Sequence, residues 1–330
     1  MSSQSQLSRY GAITREIPEL APGAKVFFVS DSDDTTVGPL NLGSVFPVDE
    51  DGVARVYTTI QAAVNAASAG RGDVVLVLPG YDHTLGRADS WATAGVHVIG
   101  LGTGLSKPIL RYTTATDEVG VAANNVHIKN IRFLAAVDSC ARALDFDTGF
   151  SGAILENCMF DFAATGNDFR VMVRAGQQRS LFANNQFLAE DTAGSGRAIS
   201  IRGLGGSYTV IKDNYFFGQF DTVGDTTNGA AVIGIDSTDT QDVKGLLIQD
   251  NMIVNTDTAV SVAIRIADGG TYGIRGLIKG NYIANFDSSS ADTTRVFSGN
   301  AVGAGMRLLD NHINGDSSTE KIVGDTVVVA

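Results

Sequence analysis

The sequence predicts an all-β fold, a single-stranded right-handed parallel β-helix, on three observations. First, a short segment recurs between Val126 and Asn314, and its anchor residues are 27, 27, 29, 37, 30 and 30 residues apart, a range of periods typical of solenoids. Second, apolar and polar positions alternate within each copy, which is strand periodicity. Third, the anchor is Asn in five consecutive copies. The anchors are Ile131, Cys158, Asn185, Asn214, Asn251, Asn281 and Asn311.

Two columns of the repeat are wholly apolar. Parallel strands stack about 4.8 Å apart, so like side chains lie on like side chains, and we expect both columns to form ladders inside a tube. The residues three positions before the anchors are Ile128, Leu155, Phe182, Ile211, Ile248, Ile278 and Leu308. The residues two positions after them are Phe133, Phe160, Phe187, Phe216, Ile253, Ile283 and Ile313. Between these columns stands a mostly polar one, with Lys129, Glu156, Lys212, Gln249 and Lys279.

The asparagine anchors predict a bend in each coil. Asn is poor in regular strands but suited to turns, and stacked side-chain amides can hydrogen-bond to one another along the tube. Each such bond contributes about 1 kcal/mol net, whereas a buried amide without a partner costs more. Solvated turn asparagines are the alternative interpretation, and the fold prediction is the same in both cases.

Composition agrees with one long domain. A solenoid grows along one axis without a new core, so 330 residues do not require a second domain. The net charge of −12 and the lack of a Lys/Arg cluster argue against a nucleic-acid partner. The sequence contains no apolar stretch long enough to predict a membrane span. Residues Met1 to Leu7 lack the basic and apolar blocks of a signal peptide, so we expect synthesis in a host cytoplasm. Cys140 and Cys158 are predicted to be free thiols.

The predicted order of segments begins with an N-terminal arm, residues 1–56, which is expected to attach the protein to its partner. It lacks the repeat and has one clear strand candidate, Val26–Val29. Residues 57–330 form the β-helix domain. A capping helix over residues 58–69 is predicted from the shared face of Ile60, Ala63, Val64 and Ala67 and from a capping box at Thr58 and Gln61. The helix would cover the open end of the tube.

The same alternation of apolar and polar residues predicts the strands of the first coils and a second strand in each later coil. Residues 73–78 and 96–99 are the first buried strands, and Leu101 is the anchor 30 residues before Ile131. The 37-residue coil places an insertion near residues 219–228, and residues 321–330 supply a terminal strand or reach a neighbour. The predicted second strands are 143–146, 171–173, 198–201, 232–235 and 262–264.

Several phrases of the sequence resemble a known family. TTIQAA followed by GDVVLVLPG is similar to the start of pectate-lyase-like right-handed β-helix proteins, in which a capping helix precedes the first coil. VFFVSDS, GRGDVVLVLPGYDHT, AGVHVIGLGTGLSKP and NNVHIKNIRF resemble phage β-helix proteins encoded among head genes. The resemblance covers roughly residues 25–165 and includes no catalytic signature. It implies a virion structural protein that decorates or cements the capsid.

Four groups of residues are candidates for a catalytic or ligand-binding site. Arg174, Arg202, Asp236 and Arg265 follow the second strand of four successive coils, and a solvent-facing ion-pair ladder is favoured over an active site. Asp213, Asp250 and Asp310 precede Asn anchors, where turn chemistry is favoured. His97 and His127 stack in register but have no third ligand at a matching spacing. Residues 100–104, GLGTG, form a turn, since no helix follows. The sequence therefore predicts no catalytic, cofactor or metal site.

The predicted function is a non-enzymatic virion structural role, as a decoration or cement protein on the outer capsid surface. Its expected partners are the major capsid protein or other virion proteins, and it is expected to form a homo-oligomer, most simply a trimer. Neither nucleic acid nor membrane is an expected partner. The main alternative is a tailspike-like polysaccharide lyase or hydrolase, which needs paired carboxylates and stacking aromatics. A host-surface glycan-binding adhesin is a further alternative.

Overall fold

The fold was analysed in a computed structural model of the chain. The structure describes residues 22–30, 52, 55–85, 89–189, 196–202, 206–220, 231–236, 242–256, 262–267, 274–285, 297–299, 305–315, 320–323 and 326–327. The predicted insertion at residues 219–228 lies outside the described residues, except for Gln219 and Phe220.

Short strands make up nearly all of the regular structure in the described residues. In the first half they are β1 Val26–Val29, β2 Val56–Tyr57, β3 Val74–Val77, β4 Asp82–Leu85, β5 Asp89–Trp91, β6 His97–Gly100, β7 Ile109–Tyr112, β8 Val119–Val121, β9 His127–Lys129, β10 Arg132–Ala135, β11 Cys140–Phe146, β12 Ile154–Glu156, β13 Met159–Phe162 and β14 Phe169–Ala175. In the second half they are β15 Leu181–Ala183, β16 Gln186–Leu188, β17 Arg197–Arg202, β18 Val210–Lys212, β19 Tyr215–Gly218, β20 Ala231–Asp236, β21 Val243–Gln249, β22 Met252–Asn255, β23 Val262–Ala267, β24 Ile274–Lys279, β25 Tyr282–Asn285, β26 Phe297–Gly299, β27 Gly305–Leu309, β28 Asn311–Gly315, β29 Glu320–Val323 and β30 Thr326–Val327. Helix α1 is Ile60–Ala66, and Gly104–Ser106 form a 3₁₀ turn.

These strands form three sheets of 12, 10 and 8 strands. From β3 to β28, successive strands pass from the twelve-stranded sheet to the ten-stranded and then to the eight-stranded sheet, and each new coil pairs in parallel with the one before. The predicted parallel β-helix is confirmed. The predicted second strands are confirmed as members of the eight-stranded sheet.

The two apolar columns are ladders in the core, as predicted. Leu155 pairs with Ile128 on one side and Phe182 on the other, and all three are buried. Phe133, Phe160, Phe187 and Phe216 stack ring on ring, with centroids 4.8 Å apart at each step. This spacing is that of neighbouring parallel strands, so one register holds from coil to coil.

Each anchor lies at the bend between the twelve-stranded and the ten-stranded sheet. The residue before it adopts a left-handed backbone conformation, with φ of 57° at Asn184, 55° at Asp213, 54° at Asp250 and 51° at Asp310. Asn and Asp tolerate this conformation better than other residues with a side chain. The predicted turn role of Asp213, Asp250 and Asp310 is confirmed.

Helix α1 covers the N-terminal end of the tube, as predicted, but it is shorter than expected. Its buried residues Ile60, Ala63 and Val64 pack in the main core. The predicted capping box is wrong. Thr59, not Thr58, is the N-cap, and its hydroxyl oxygen accepts a hydrogen bond from the Ala62 backbone N–H at 3.1 Å. Gln61 instead bonds to both backbone groups of Ser90, because this position faces the first coil.

Strand β1 lies within the predicted arm and pairs in parallel with β3 and with β2. Its two faces belong to different clusters, since Phe27 joins the main core and Phe28 packs with Val74, Leu76 and Ile99 on the other side of the sheet. The register of β6 and β9 places Leu101 one coil before Ile131, as predicted, but the Leu101 side chain packs in this second cluster and not in the main core. The division into arm and β-helix domain stays a prediction.

Two of the three sheets end in reversed strands at the C-terminal end. Strand β29 pairs antiparallel with β28, and β30 pairs antiparallel with β27. The expected terminal strand is therefore present, and it covers the last parallel strands of the ten-stranded and twelve-stranded sheets, which would otherwise be open to pairing with another chain. Among the described residues, no helix has the length and apolar character needed to cross a membrane.

Candidate functional site

The outer face of the eight-stranded sheet holds the charged residues that the sequence singled out, but in two columns. Arg174 pairs with Asp145 on one side and Ser200 on the other. Arg202 pairs with Asp236, two residues farther along the strand than Ser200. The prediction of one four-residue stack is therefore wrong, because Ser200 occupies the place in register that had been given to Arg202. The column through Arg174 reads Gly120, Asp145, Arg174, Ser200, Gly234 and Arg265.

Asp145 is the centre of the charged cluster. Its side chain is only 4% exposed, and Arg174 donates its Nε and Nη2 hydrogens to the two carboxylate oxygens. Arg142 lies 3.6 Å from Asp145 and donates to Glu118 at 2.9 Å. Two-point arginine contacts fix the orientation of both partners and are stronger than neutral hydrogen bonds. Asp145 thus joins two successive coils, in the ladder arrangement that the sequence favoured for this face.

Asp147 lies two residues after Asp145, just beyond the end of β11. Burial raises the pKa of its carboxyl group, and the negative charge of Asp145 raises it further. Two carboxyl groups in different environments, one paired with arginine and the other with a raised pKa, are a common feature of acid–base sites. This pair was missed by sequence reasoning, since no single-residue pattern distinguishes it from other Asp residues.

A buried arginine lies farther along this face. Arg197 is 1% exposed, and its guanidinium group occupies the space over Gly234. A Cβ atom at position 234 would lie 2.6 Å from Arg197 Nη1, so the glycine makes room for the arginine. Sequence reasoning missed Arg197 because it falls at the start of a strand, outside the repeat columns.

His97 and His127 stack in register, as predicted, with their Nδ1 atoms 3.4 Å apart. The other ring nitrogen of His127 lies 3.4 Å from Glu156 Oε2. Burial lowers the pKa of both imidazoles. Since His127 presents different nitrogens to its two neighbours, the three side chains do not converge on one point. No group of three potential metal ligands occurs within the residues that the structure describes.

Both cysteines are buried and free. Burial raises the pKa of each thiol to about 12, so both are protonated at neutral pH and poor nucleophiles. Cys158 occupies the anchor column as predicted, where its backbone N–H donates to Asn185 Oδ1 at 2.9 Å.

The fold defines the class of protein as an all-β parallel β-helix. No protein-family model matches the chain, and no curated protein matches it. Among solved structures it is similar to a pectin methylesterase variant in complex with a hexasaccharide, with 11% identity and a TM-score of 0.45 over 89% of this chain and 90% of the other. It is also similar to ORF18 of Geobacillus virus E2, with 14% identity and a TM-score of 0.20 over 78% of this chain and 57% of the other. Both likenesses concern the fold alone.

Proposed function

We propose that the chain is a non-enzymatic structural protein of a bacteriophage particle and decorates the outer surface of its capsid. The observation that carries this proposal is that the charged side chains on the sheet faces bond to neighbouring coils. These inter-coil pairs are Asp82 with Arg111, Glu118 with Arg142, Asp161 with Arg132, Asp145 with Arg174, and Glu156 with Lys129.

Such pairs stiffen the tube. An exposed pair contributes little, about 0–1 kcal/mol, and the pair of Asp82 and Arg111 is of this kind. Asp161 and Asp145 are 8% and 4% exposed, and breaking a buried pair costs about 3–5 kcal/mol. A rod whose coils are cross-linked in this way suits a load-bearing role in a particle. The sequence segments that resemble phage β-helix proteins support the same role.

The charge of the chain supports an outer position. A net charge of −12 repels packaged DNA, which disfavours the inner capsid surface. The partner would then be the major capsid protein or another exposed virion protein.

The test is to measure the copy number of the protein in purified particles and its accessibility to protease added from outside. A structural decoration protein is expected in many copies, at a fixed ratio to the capsid protein, and is expected to be cleaved in intact particles. Absence from the particle, or a copy number of only a few, would contradict the proposal.

The alternative function is cleavage of a polysaccharide, and the specific observation in its favour is the carboxyl pair of Asp145 and Asp147. Incubation with acidic and neutral polysaccharides should give no new reducing ends and no unsaturated uronate if the structural role is correct. Product formation that is lost in Asp147→Asn but kept in Asp82→Asn would establish the enzymatic role instead.

A further inference from the structure

The outer face of the ten-stranded sheet changes character along the tube. Its first coils carry ion pairs, with Arg111 on Asp82 and Arg132 on Asp161. In the later coils the same two columns hold apolar and aromatic residues, which we call the apolar stripe. The stripe consists of Leu188, Tyr215, Phe217, Met252, Val254, Tyr282 and His312.

The stripe faces away from the core. Its members alternate along their strands with the buried ladder residues Phe187, Phe216, Ile253, Ile283 and Ile313, so strand periodicity places them outside. Phe217 is 37% and Met252 is 44% exposed. The rings of Tyr215 and Phe217 are 6.2 Å apart, and those of Tyr282 and His312 are 5.1 Å apart. Neighbouring rings of the stripe thus already contact one another, nearly parallel in the first pair and tilted by 54° in the second.

The composition of the stripe is typical of the centre of a protein interface. Aromatic residues and Met are enriched there, while Lys, Glu and Asp are depleted. Among the described side chains in these two columns from β16 to β28 there is no Lys, Arg, Asp or Glu, and the additional members are Gln186 and Ala284. The same fold places Arg and Asp on this face a few coils earlier, so the sheet itself does not require an apolar exterior.

We propose that the apolar stripe is the contact face between copies of this chain. Two chains that each carry a net charge of −12 repel one another, and they approach most closely where the facing surfaces are uncharged. The stripe runs along the tube axis, so copies that pack side by side bury it along its whole length. Flat sheet faces pack about 10 Å apart with interdigitating side chains, which the mixture of rings and aliphatic groups permits.

The size of the stripe makes it the centre of the contact, not the whole. Five strands at about 4.8 Å spacing and two side-chain columns cover roughly 300 Å², whereas a stable interface buries about 800 Å² per partner. The remaining area is expected to be the polar rim around this centre. This inference concerns the isolated protein, so it does not depend on the proposed place in a virion.

The test is sedimentation of the full chain and of three single variants. Met252→Lys and Phe217→Gln alter exposed stripe residues and should raise the dissociation constant of the oligomer about tenfold or more. Leu105→Lys is the matched control, because Leu105 is 72% exposed on the 3₁₀ turn, away from the stripe. Thermal melts monitored by circular dichroism should be the same for all four proteins.

Salt provides a second measurement. Raising the ionic strength screens the repulsion between the acidic chains and leaves an apolar contact in place, so association should strengthen. A wild-type chain that is monomeric at micromolar concentration would overturn the proposal, and so would a Met252→Lys oligomer as tight as that of Leu105→Lys. Association that weakens with salt would also overturn it, since ion pairs would then be the contact. Binding of a polysaccharide to a monomeric chain, lost in both stripe variants, would assign the stripe to a glycan instead.

Discussion

The five anchor asparagines are bonded in a continuous amide ladder. The Nδ2 atom of Asn185 donates to Oδ1 of Asn214 at 3.0 Å, and the same bond recurs from Asn214 to Asn251, from Asn251 to Asn281 and from Asn281 to Asn311 at 2.8–3.0 Å. Each Oδ1 also accepts the backbone N–H of the preceding anchor, and each Nδ2 also donates to a backbone carbonyl. The side chains therefore satisfy backbone groups that the bend removes from the sheet ladders.

Replacing Asn251 by Leu should destabilise the protein strongly. The change leaves Asn214 without its acceptor and removes the donor to Asn281 and to the Ile211 carbonyl. Several buried polar groups would lose partners, at about 1–3 kcal/mol each. We expect a loss of about 3–5 kcal/mol in the free energy of unfolding, measured by chemical denaturation.

The matched control is Gln249→Ala, two residues away in the partly exposed column. Its expected cost is below about 0.5 kcal/mol. Equal and small effects of both substitutions would show that the amide ladder does not stabilise the coil.

The anchors could be predicted from the sequence, whereas the charged cluster around Asp145 could not. An anchor recurs at a fixed distance from two apolar columns, so its register follows from the repeat. The second strand begins after a connection of variable length, and an error of two residues moved Arg202 into the place of Ser200. Arg197 and Gly234 depend on each other through space, and neither belongs to a repeated column.

Among the elements, β1, α1 and β3 are joined by one buried carboxylate, Asp73. Its two oxygens accept hydrogen bonds from the backbone N–H groups of Lys25 and Ser68 at 2.8 Å each and from the Arg71 guanidinium at 2.5–2.6 Å. Burial alone would raise the pKa of this carboxyl group, but the Arg71 contact and the backbone donors together hold it below its usual value. The ionised form therefore holds the start of β1 and the end of α1 against the first coil.

Asp73→Asn should lower the free energy of unfolding at pH 7 by about 2–4 kcal/mol. The charge-assisted hydrogen bonds are lost, and the new NH₂ group is itself a donor placed among other donors. Because the pKa of Asp73 is lower in the folded state than in the unfolded state, its ionised form stabilises the fold fully at pH values above the unfolded-state pKa of about 3.9. This stabilisation is lost as the pH falls through the folded-state pKa. The difference between wild type and variant should therefore be constant near neutral pH and shrink below about pH 4.

Denaturation curves at a series of pH values would measure this difference. Asp82→Asn is the control, since the pair of Asp82 and Arg111 is exposed and worth about 0–1 kcal/mol. A cost of Asp73→Asn that grows as the pH falls would contradict the assignment of the stabilising form as the carboxylate.

Elements differ in how well the sequence defines them. The strands followed from alternation in the repeat, and helix α1 followed from its apolar face. The N-cap differed by one residue because Thr58 and Thr59 are both acceptable caps, and only the packing of Gln61 against Ser90 decides between them. The membership of β1 in the first sheet was not visible, because its partner β3 lies 48 residues later.

The whole molecule is a rod whose ends are partly covered and whose flanks differ. Helix α1 covers the first coil, and β29 and β30 cover the last one with reversed strands. Strand β26, the last of the eight-stranded sheet, has no reversed partner among the described strands. The contacts with other proteins that we predict lie on the sheet faces and on the arm, residues 1–56, for which the sequence predicts a role in attachment.

The arm is expected to contact the capsid, and hydrogen exchange on the full chain tests this expectation without truncation. Removing residues 1–56 would also remove β1, whose Phe27 and Val29 pack in the core, so a truncated chain would confuse attachment with stability. Amides of the arm outside β1 and β2 should exchange more slowly on capsids than in free protein, because a contact with the capsid would shield them from solvent. Amides of β1 should exchange slowly in both states and serve as the internal control. Protection confined to the sheet faces, with unchanged exchange in the arm, would show that the rod attaches by its flank.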